Sequence, residues 1–392
     1  MLVGGRVKTG DARAGLRHRE TMDRSLDQLR RRLLIQCRPS QADTAAEIAD
    51  AHDGGLVLTG AEPEAIVRRL RRRGFGGPIL CDADRYSGKR RVSAGRGIRP
   101  AWCRRQHDLG LIAVTDSGYL ATGNWPGLRT ILRAASKQRG PVIAMLPLAA
   151  RWFFKRPVVE AMARELNAYG VPVAVALEHA GDPFGTQYVV RHFLHLLRTT
   201  TVPVLLLRSD VSAIGALCHG AHAAAIGTTS ALRHFHPVTP HGRPRPPGVS
   251  VFIRHLLSHH RLDTCETVFA DTPDTSQFWL CDCVVCDGAT PARLRAAGDP
   301  ATVALRHSLH SQFLLHHELF HRPRTHEQLA SAWHENCSHA LFLHHQVAEH
   351  VDHWRTPLNV RSWYAVTDDP LQRATIPRQP TDRALPSPQP SE

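Results

Sequence analysis

Between about residue 30 and residue 235 the chain repeats one pattern: a short apolar run rich in valine, isoleucine and leucine, then an amphipathic segment of helix length. The runs are Leu33–Cys37, Leu56–Thr59, Pro78–Asp82, Leu111–Asp116, Val142–Leu146, Val173–Leu177, Val204–Arg208 and Ala223–Gly227. They lack the alternation of a half-exposed strand, as expected where helices cover one face and a core fills the other. Segments such as Glu64–Arg73, Trp125–Gln138, Val158–Tyr169 and Gln187–Arg198 carry apolar residues at three- and four-residue spacing, which predicts helices. Eight strand-helix units in about 200 residues predict an α/β protein built as a compact (β/α)8 TIM barrel. A doubly wound open sheet is the alternative, and pairing between the first and last strands discriminates the two. The long approach to the fourth unit, Arg85 to Asp108, is basic and reads as a loop inserted on the active face.

Barrel chemistry sits where strands end. Those positions hold Gln36, Thr59, Asp82 with Asp84, Asp116 with Ser117, Pro147, Glu178 with His179, Arg208 with Asp210, and Gly227 with Thr228. Converging acids can act as nucleophile, as general acid and base, or as acceptors for a heterocycle edge. Each can equally cap the following helix, and Asp210, in Ser-Asp-Val-Ser, reads as such a cap. Asp82 is followed by no helix directly, which turns it towards function.

Beyond the barrel, Cys281, Cys283 and Cys286 fall within six residues, and His307 follows twenty-one positions later. Thiolates at that spacing on a tight turn can face one centre, and an imidazole from a following helix completes a tetrahedral zinc shell. A reactive disulfide and three unrelated buried thiols are the alternatives. From Arg306 to Trp354 the pattern is helical and dense in histidine, including His316, His317, His321, His344, His345, His350 and His353. Solvated or phosphate-facing side chains are the expectation there. The segments are thus a basic stretch over 1–30, a barrel over 31–240, a zinc-binding element over 241–320, a histidine-rich helical extension over 321–375, and a disordered tail over 376–392.

Net charge is +14, and only four of the 49 basic residues are lysine. Guanidinium groups bind phosphate in bidentate fashion and stack on bases, which suits nucleic acid; a codon bias towards arginine would give the same count. No run of eighteen apolar residues exists, so no membrane span is expected, and the arginine-rich first thirty residues lack the apolar region of a secretory signal. A cytoplasmic setting follows as the expectation.

The barrel pattern joined to a late Cys-x-Cys-x2-Cys and a histidine on a helix resembles the tRNA-guanine transglycosylases. Pro78-Ile79-Leu80-Cys81-Asp82 is similar to the family's third-strand segment, which makes Asp82 the implied catalytic aspartate. The run Asp108 to Asp116 is similar to the strand whose aspartate reads the purine edge, so Asp116 inherits that role, with Ser117 and Glu178 as substrate-binding neighbours. The helix start Ala304-Leu305-Arg306-His307 resembles the family's zinc helix and favours His307 over His310 as fourth ligand. The resemblance implies a structural Zn2+, a tRNA or DNA partner, a guanine or 7-deazaguanine-type base, and a homo- or heterodimer. The chain departs from the pattern at Gly227, which stands where the family's nucleophilic aspartate ends the eighth strand, and after strands five and six, where Leu146-Pro147-Leu148 and Glu178-His179-Ala180-Gly181 replace the family's glycine-rich substrate-binding turns. Asp82 or Asp116 would have to serve as nucleophile, or Glu178 would, or the chemistry is lost and a noncatalytic nucleic-acid-binding relative remains. An ordinary barrel enzyme on a small phosphorylated substrate is the third option, without an evident glycine-rich phosphate loop at Arg208–Gly215 or Gly227–Ser230.

Overall fold

A computed structural model describes residues 25–238 and 248–367. The expected disordered tail, residues 1–24 of the basic stretch, and residues 239–247 lie outside them. Eight strands, β1 (Arg32–Cys37), β2 (Gly55–Thr59), β3 (Ile79–Asp82), β4 (Ala113–Val114), β5 (Val142–Ala149), β6 (Val173–Glu178), β7 (Val204–Ser209) and β8 (Ala223–Gly227), form one parallel sheet ordered 3-2-1-8-7-6-5-4. The first and last strands pair, with Leu33 opposite Ala224 and Ile35 opposite Ile226. This decides for a barrel, nearly closed, over the open sheet.

The apolar runs divide by position. Leu34, Val57, Leu80, Val114, Ile143, Met145, Leu205 and Ala225 fill the barrel interior, while Leu33, Ile35, Leu56, Ile79, Val142 and Leu206 pack outward under the helices. Both faces are buried, which is why the sequence shows no alternation. Leu26 and Leu29 plug the amino end, and Tyr86 with Phe235 cover the carboxyl end, their rings edge to face at 5.0 Å.

The helix after β8, Ser230–Arg233, is one turn long. The outer layer is completed instead by Pro300–Phe320, which packs on β1 and on the helix Ala42–Ala51. Phe313 fits here because Gly54 presents no side chain: a Cβ there would lie 2.7 Å from the ring. The segment holding the three cysteines is therefore interposed between β8 and the helix that packs on β1. It carries a hairpin of β9 (Ser250–Ile253) and β10 (Ser258–Arg261) and the helix Leu262–Asp271.

The helices His326–His350 and Leu358–Thr367 pack on the barrel too, with Trp333 against Gly215 and the Trp363 indole donating to Ser212 Oγ at 3.0 Å. Among the histidines expected to be solvated, His317, His321, His345, His350 and His353 are exposed. His344 is fully buried and bonds the Leu256 carbonyl at 3.0 Å, and half-buried His316 bonds the Arg31 carbonyl at 3.0 Å. These two correct the expectation: their rings tie main-chain carbonyls of neighbouring elements rather than facing solvent. No helix among the described residues is long and apolar enough to cross a membrane.

Candidate functional site

The barrel pattern points to the acids of the carboxyl rim. Asp82 ends β3 with 1% of its surface exposed. Its Oδ2 accepts from Tyr86 OH at 2.6 Å and Gln36 Nε2 at 2.9 Å, and its Oδ1 accepts from the Asp84 amide at 2.9 Å. Arg208 Nε lies 3.4 Å from Oδ2, and the guanidinium also pairs with Asp84, which Arg38 grips from the other side at 2.9 Å. Burial pushes the Asp82 carboxyl above its usual value, and the Arg208 charge opposes this. The same burial raises the Tyr86 phenol. An irregularity in β7 between Leu206 and Ser209 places Arg208 inward, and both Arg208 and Asp84 adopt left-handed backbone, at φ 51° and 54°. A non-glycine residue there stores strain that its surroundings must hold.

Asp116 ends the fourth unit, 1% exposed. The inserted segment folds over it: Arg85 donates to its Oδ2 at 2.6 Å, and Arg99 adds its amide to Oδ1 at 2.8 Å and its Nε to Oδ2. Ser117 turns elsewhere, bonding Thr115 Oγ1 at 2.8 Å, which in turn receives the Met145 amide at 2.9 Å. That hydroxyl pair helps join the short β4 region to β5. Glu178 ends β6 and is held by Arg91 and by the Tyr119 hydroxyl, with Arg91 3.9 Å over the Tyr119 ring. The Tyr119 phenol is raised, by burial and then by this hydrogen bond.

Asp82, Asp116 and Glu178 thus occupy one rim, yet each is closed by its own clamp. Phe235 stands between two of them, edge to face with Tyr86 at 5.0 Å and with Tyr119 at 6.1 Å. The arginines that clamp Asp116 and Glu178, namely Arg85, Arg99 and Arg91, were legible only as a basic insertion. Nothing in their spacing assigned each to an acid distant in sequence. Asp210 behaves as the cap reading expected, accepting the Ser212 amide at 3.0 Å. Asp82 makes the same two-residue turn with Asp84, so part of its role is conformational.

At the eighth strand, a Cβ on Gly227 would lie 2.2 Å from the Leu232 carbonyl carbon and oxygen and 2.6 Å from the Arg233 amide. No side chain fits there unless the backbone of the following turn moves.

The second candidate is a metal centre. The Sγ atoms of Cys281, Cys283 and Cys286 and one ring nitrogen of His307 lie within 4.8 Å of one another, all buried, a group that could hold a metal ion. His307 Nδ1 is 3.8, 3.4 and 3.1 Å from the three sulfurs in chain order. Its Nε2 lies 2.8 Å from the Phe252 carbonyl, which orients the ring and fixes Nδ1 as the inward atom. The cysteines sit on a tight knuckle: the Cys286 and Asp287 amides bond the Cys283 carbonyl at 3.0 and 2.9 Å, and the Gly288 amide returns to the Cys281 carbonyl at 3.0 Å. Asp287 and Gly288 make that return in left-handed backbone. Hydrogen bonds among the three thiols hold Cys281 below its ordinary value and push Cys286 above it, so the charge of the cluster settles on Cys281. Ser311, one helical turn beyond His307, lies 3.4 Å from Cys281 Sγ; the four-residue spacing on one helix was the available signal for it. His310, the other candidate ligand, faces away and bonds His52 at 2.8 Å.

No protein-family model and no curated relative matches the chain. Solved structures similar in fold include type I 3-dehydroquinate dehydratase from Clostridium difficile, at 10% identity and a TM-score of 0.35, covering 53% of this chain and 88% of that one. Homocysteine methyltransferase from Escherichia coli matches at 12% identity and a TM-score of 0.34, over 52% of this chain and 93% of that one. The carboxyl transferase domain of Rhizobium etli pyruvate carboxylase matches at 12% identity and a TM-score of 0.38, over 88% of this chain and 59% of that one. The barrel assignment stands on the strand ladder itself, and nothing of these enzymes' activities passes to this chain.

Proposed function

We propose that this protein is a noncatalytic, zinc-stabilised barrel that binds nucleic acid, a relative of the tRNA-guanine transglycosylases without their covalent chemistry. The observation that carries this reading is the packing at Gly227, where backbone atoms fill the place of a nucleophile's side chain. Glycosyl transfer through a covalent intermediate needs a carboxylate free to reach the sugar carbon. Asp82, Asp116 and Glu178 are each committed to arginine or tyrosine partners, which supports the same conclusion.

The donors suit zinc. Three soft thiolates and an imidazole make a closed four-ligand set, which leaves no position for a reacting water and suits a structural role. The partner is polyanionic by charge: the net +14 is mostly guanidinium, and Lys89, Arg90, Arg96 and Arg104 of the inserted segment are exposed. All nine cysteines are buried and free of disulfides, in keeping with a reducing, cytoplasmic setting.

The left-handed backbone at Asp84 and Arg208 favours a second reading, retained base exchange or removal on tRNA or DNA with Asp82 as the reacting acid. One experiment separates them. The protein is incubated with labelled tRNA, single-stranded oligomers and a guanine or 7-deazaguanine base, binding is read against salt, and adducts are sought on a denaturing gel. The expected result is binding whose log K falls linearly with log salt, and no adduct. An adduct lost in Asp82→Ala but kept in Asp210→Ala would establish the enzyme instead.

A further inference from the structure

The carboxyl face carries exposed aromatic rings beside unpaired cations, away from the clamped acids. The short helix Ala150–Phe153 leaves the end of β5 and leads to Phe154, and the helix Gln187–Thr199 begins after β6 with Tyr188 in its first turn. Phe154 and Tyr188 are 40% and 57% exposed, unusual for large rings on a barrel rim. They stand on one support. Tyr188 stacks on His192, and His192 Nδ1 lies 2.6 Å from the carbonyl of Phe153, the residue preceding Phe154. Beneath, Phe153 packs edge to face on Phe193 at 5.8 Å.

Arg151 and Lys155 flank Phe154, both exposed, and neither has a side-chain partner among the described residues. The nearby Glu160 is already engaged by Arg156 at 2.9 Å. This shelf is laced to the inserted basic segment. Ser93 bridges to Tyr119, Leu120 bridges to Leu148, and the Trp152 indole donates to the carbonyls of Leu120 and Ala121 at 3.2 and 3.0 Å. The inserted segment that carries exposed Lys89, Arg90 and Arg96 is thereby tied to the shelf.

Aromatic faces take unstacked bases, and flanking cations track the backbone; a duplex offers its phosphates but hides its base faces. We propose that this shelf is a docking surface for an unpaired stretch of nucleic acid, with bases stacking on Phe154 and Tyr188 and phosphates meeting Arg151, Lys155, Lys89, Arg90 and Arg96. The inference rests on the nucleic-acid reading above and adds the surface and the strandedness.

Fluorescence anisotropy of the full chain with a labelled mixed-sequence single strand, as RNA and as DNA, and with the matched duplex, tests it. Wild type should bind either single strand at least about tenfold tighter than the duplex, and Phe154→Ala/Tyr188→Ala should weaken single-strand binding by at least about tenfold while leaving duplex binding unchanged. Arg151→Gln/Lys155→Gln should weaken both forms and reduce the salt slope. Both pairs are exposed, so unchanged melting curves would show that folding is intact. Single-strand binding that survives loss of both rings overturns this surface while leaving the nucleic-acid reading standing. Equal affinity for duplex and single strand overturns it as well. No binding of any strand overturns both.

Discussion

Replacing Asp82 by alanine separates an anchoring acid from a reacting one. The carboxylate receives Tyr86 OH at 2.6 Å, Gln36 Nε2 at 2.9 Å and the Asp84 amide at 2.9 Å, with Arg208 Nε at 3.4 Å, all inside a site 1% exposed. Its removal leaves buried donors without an acceptor and weakens the pairing of a buried guanidinium. Breaking one side of a buried pair costs about 3–5 kcal/mol. Arg208 keeps Asp84, so the lower end applies, about 3 kcal/mol. For a folded unit of this size, with an unfolding entropy of about 0.7 kcal/mol/K, that is a fall in Tm of roughly 4 °C, read by calorimetry or by urea unfolding at constant m. Asp82→Asn preserves shape and part of the acceptor set and should lose roughly half as much. Gln36→Leu should destabilise too, because the Arg208 amide donates to Gln36 Oε1 at 2.7 Å and the whole mouth network hangs on that side chain. A reacting acid is held at a cost to stability, and its removal commonly stabilises. An Asp82→Ala protein that melts at or above wild type would refute the anchoring argument and return Asp82 to the catalytic reading.

Gly227→Asp, which restores the residue type of a nucleophile, should yield no adduct and should destabilise by about 1–3 kcal/mol or more, because Leu232 and Arg233 must move; urea unfolding with the adduct gel checks both. Native mass spectrometry or elemental analysis should find one zinc per chain. Cys283→Ser or chelation should remove it and melt the interposed segment first, visible as hydrogen exchange confined to residues around β9 and the cysteine knuckle; a metal-free protein with unchanged protection there would contradict the structural role. Acid should unfold the protein earlier than its carboxylates require. Burial lowers the His344 imidazole to about 4, so the folded state holds it neutral while the unfolded chain takes a proton below its ordinary 6.5. Stability contributed by that site is present above pH 6.5 and lost as pH falls towards 4, on the order of 3 kcal/mol in all. His344→Gln should flatten that part of the pH-stability curve.

What was legible in the sequence was what short range and repetition encode. The eight strands fell where unbroken apolar runs lay, because both faces of a barrel strand are buried. The three cysteine ligands were legible because a knuckle needs its cysteines two and three residues apart, and the family resemblance favoured His307 over His310 as the fourth. Asp210 announced its cap through the residues around it. The tertiary structure decided the rest, for reasons of distance. Asp82, Asp116 and Glu178 looked alike as acids at strand ends, and only the fold showed how each is occupied: Arg85 and Arg99 of the insertion close on Asp116, Arg91 on Glu178, and Arg208 of β7 with Tyr86 on Asp82. The eighth outer helix was replaced by one from residue 300 onwards, which periodicity has no means to register. His316 and His344 read as surface residues until their carbonyl partners, far away in sequence, were in place. Gly227 was visible as a missing carboxylate, but that nothing larger fits depends on the close approach of Leu232 and Arg233, a fact of packing that sequence does not carry.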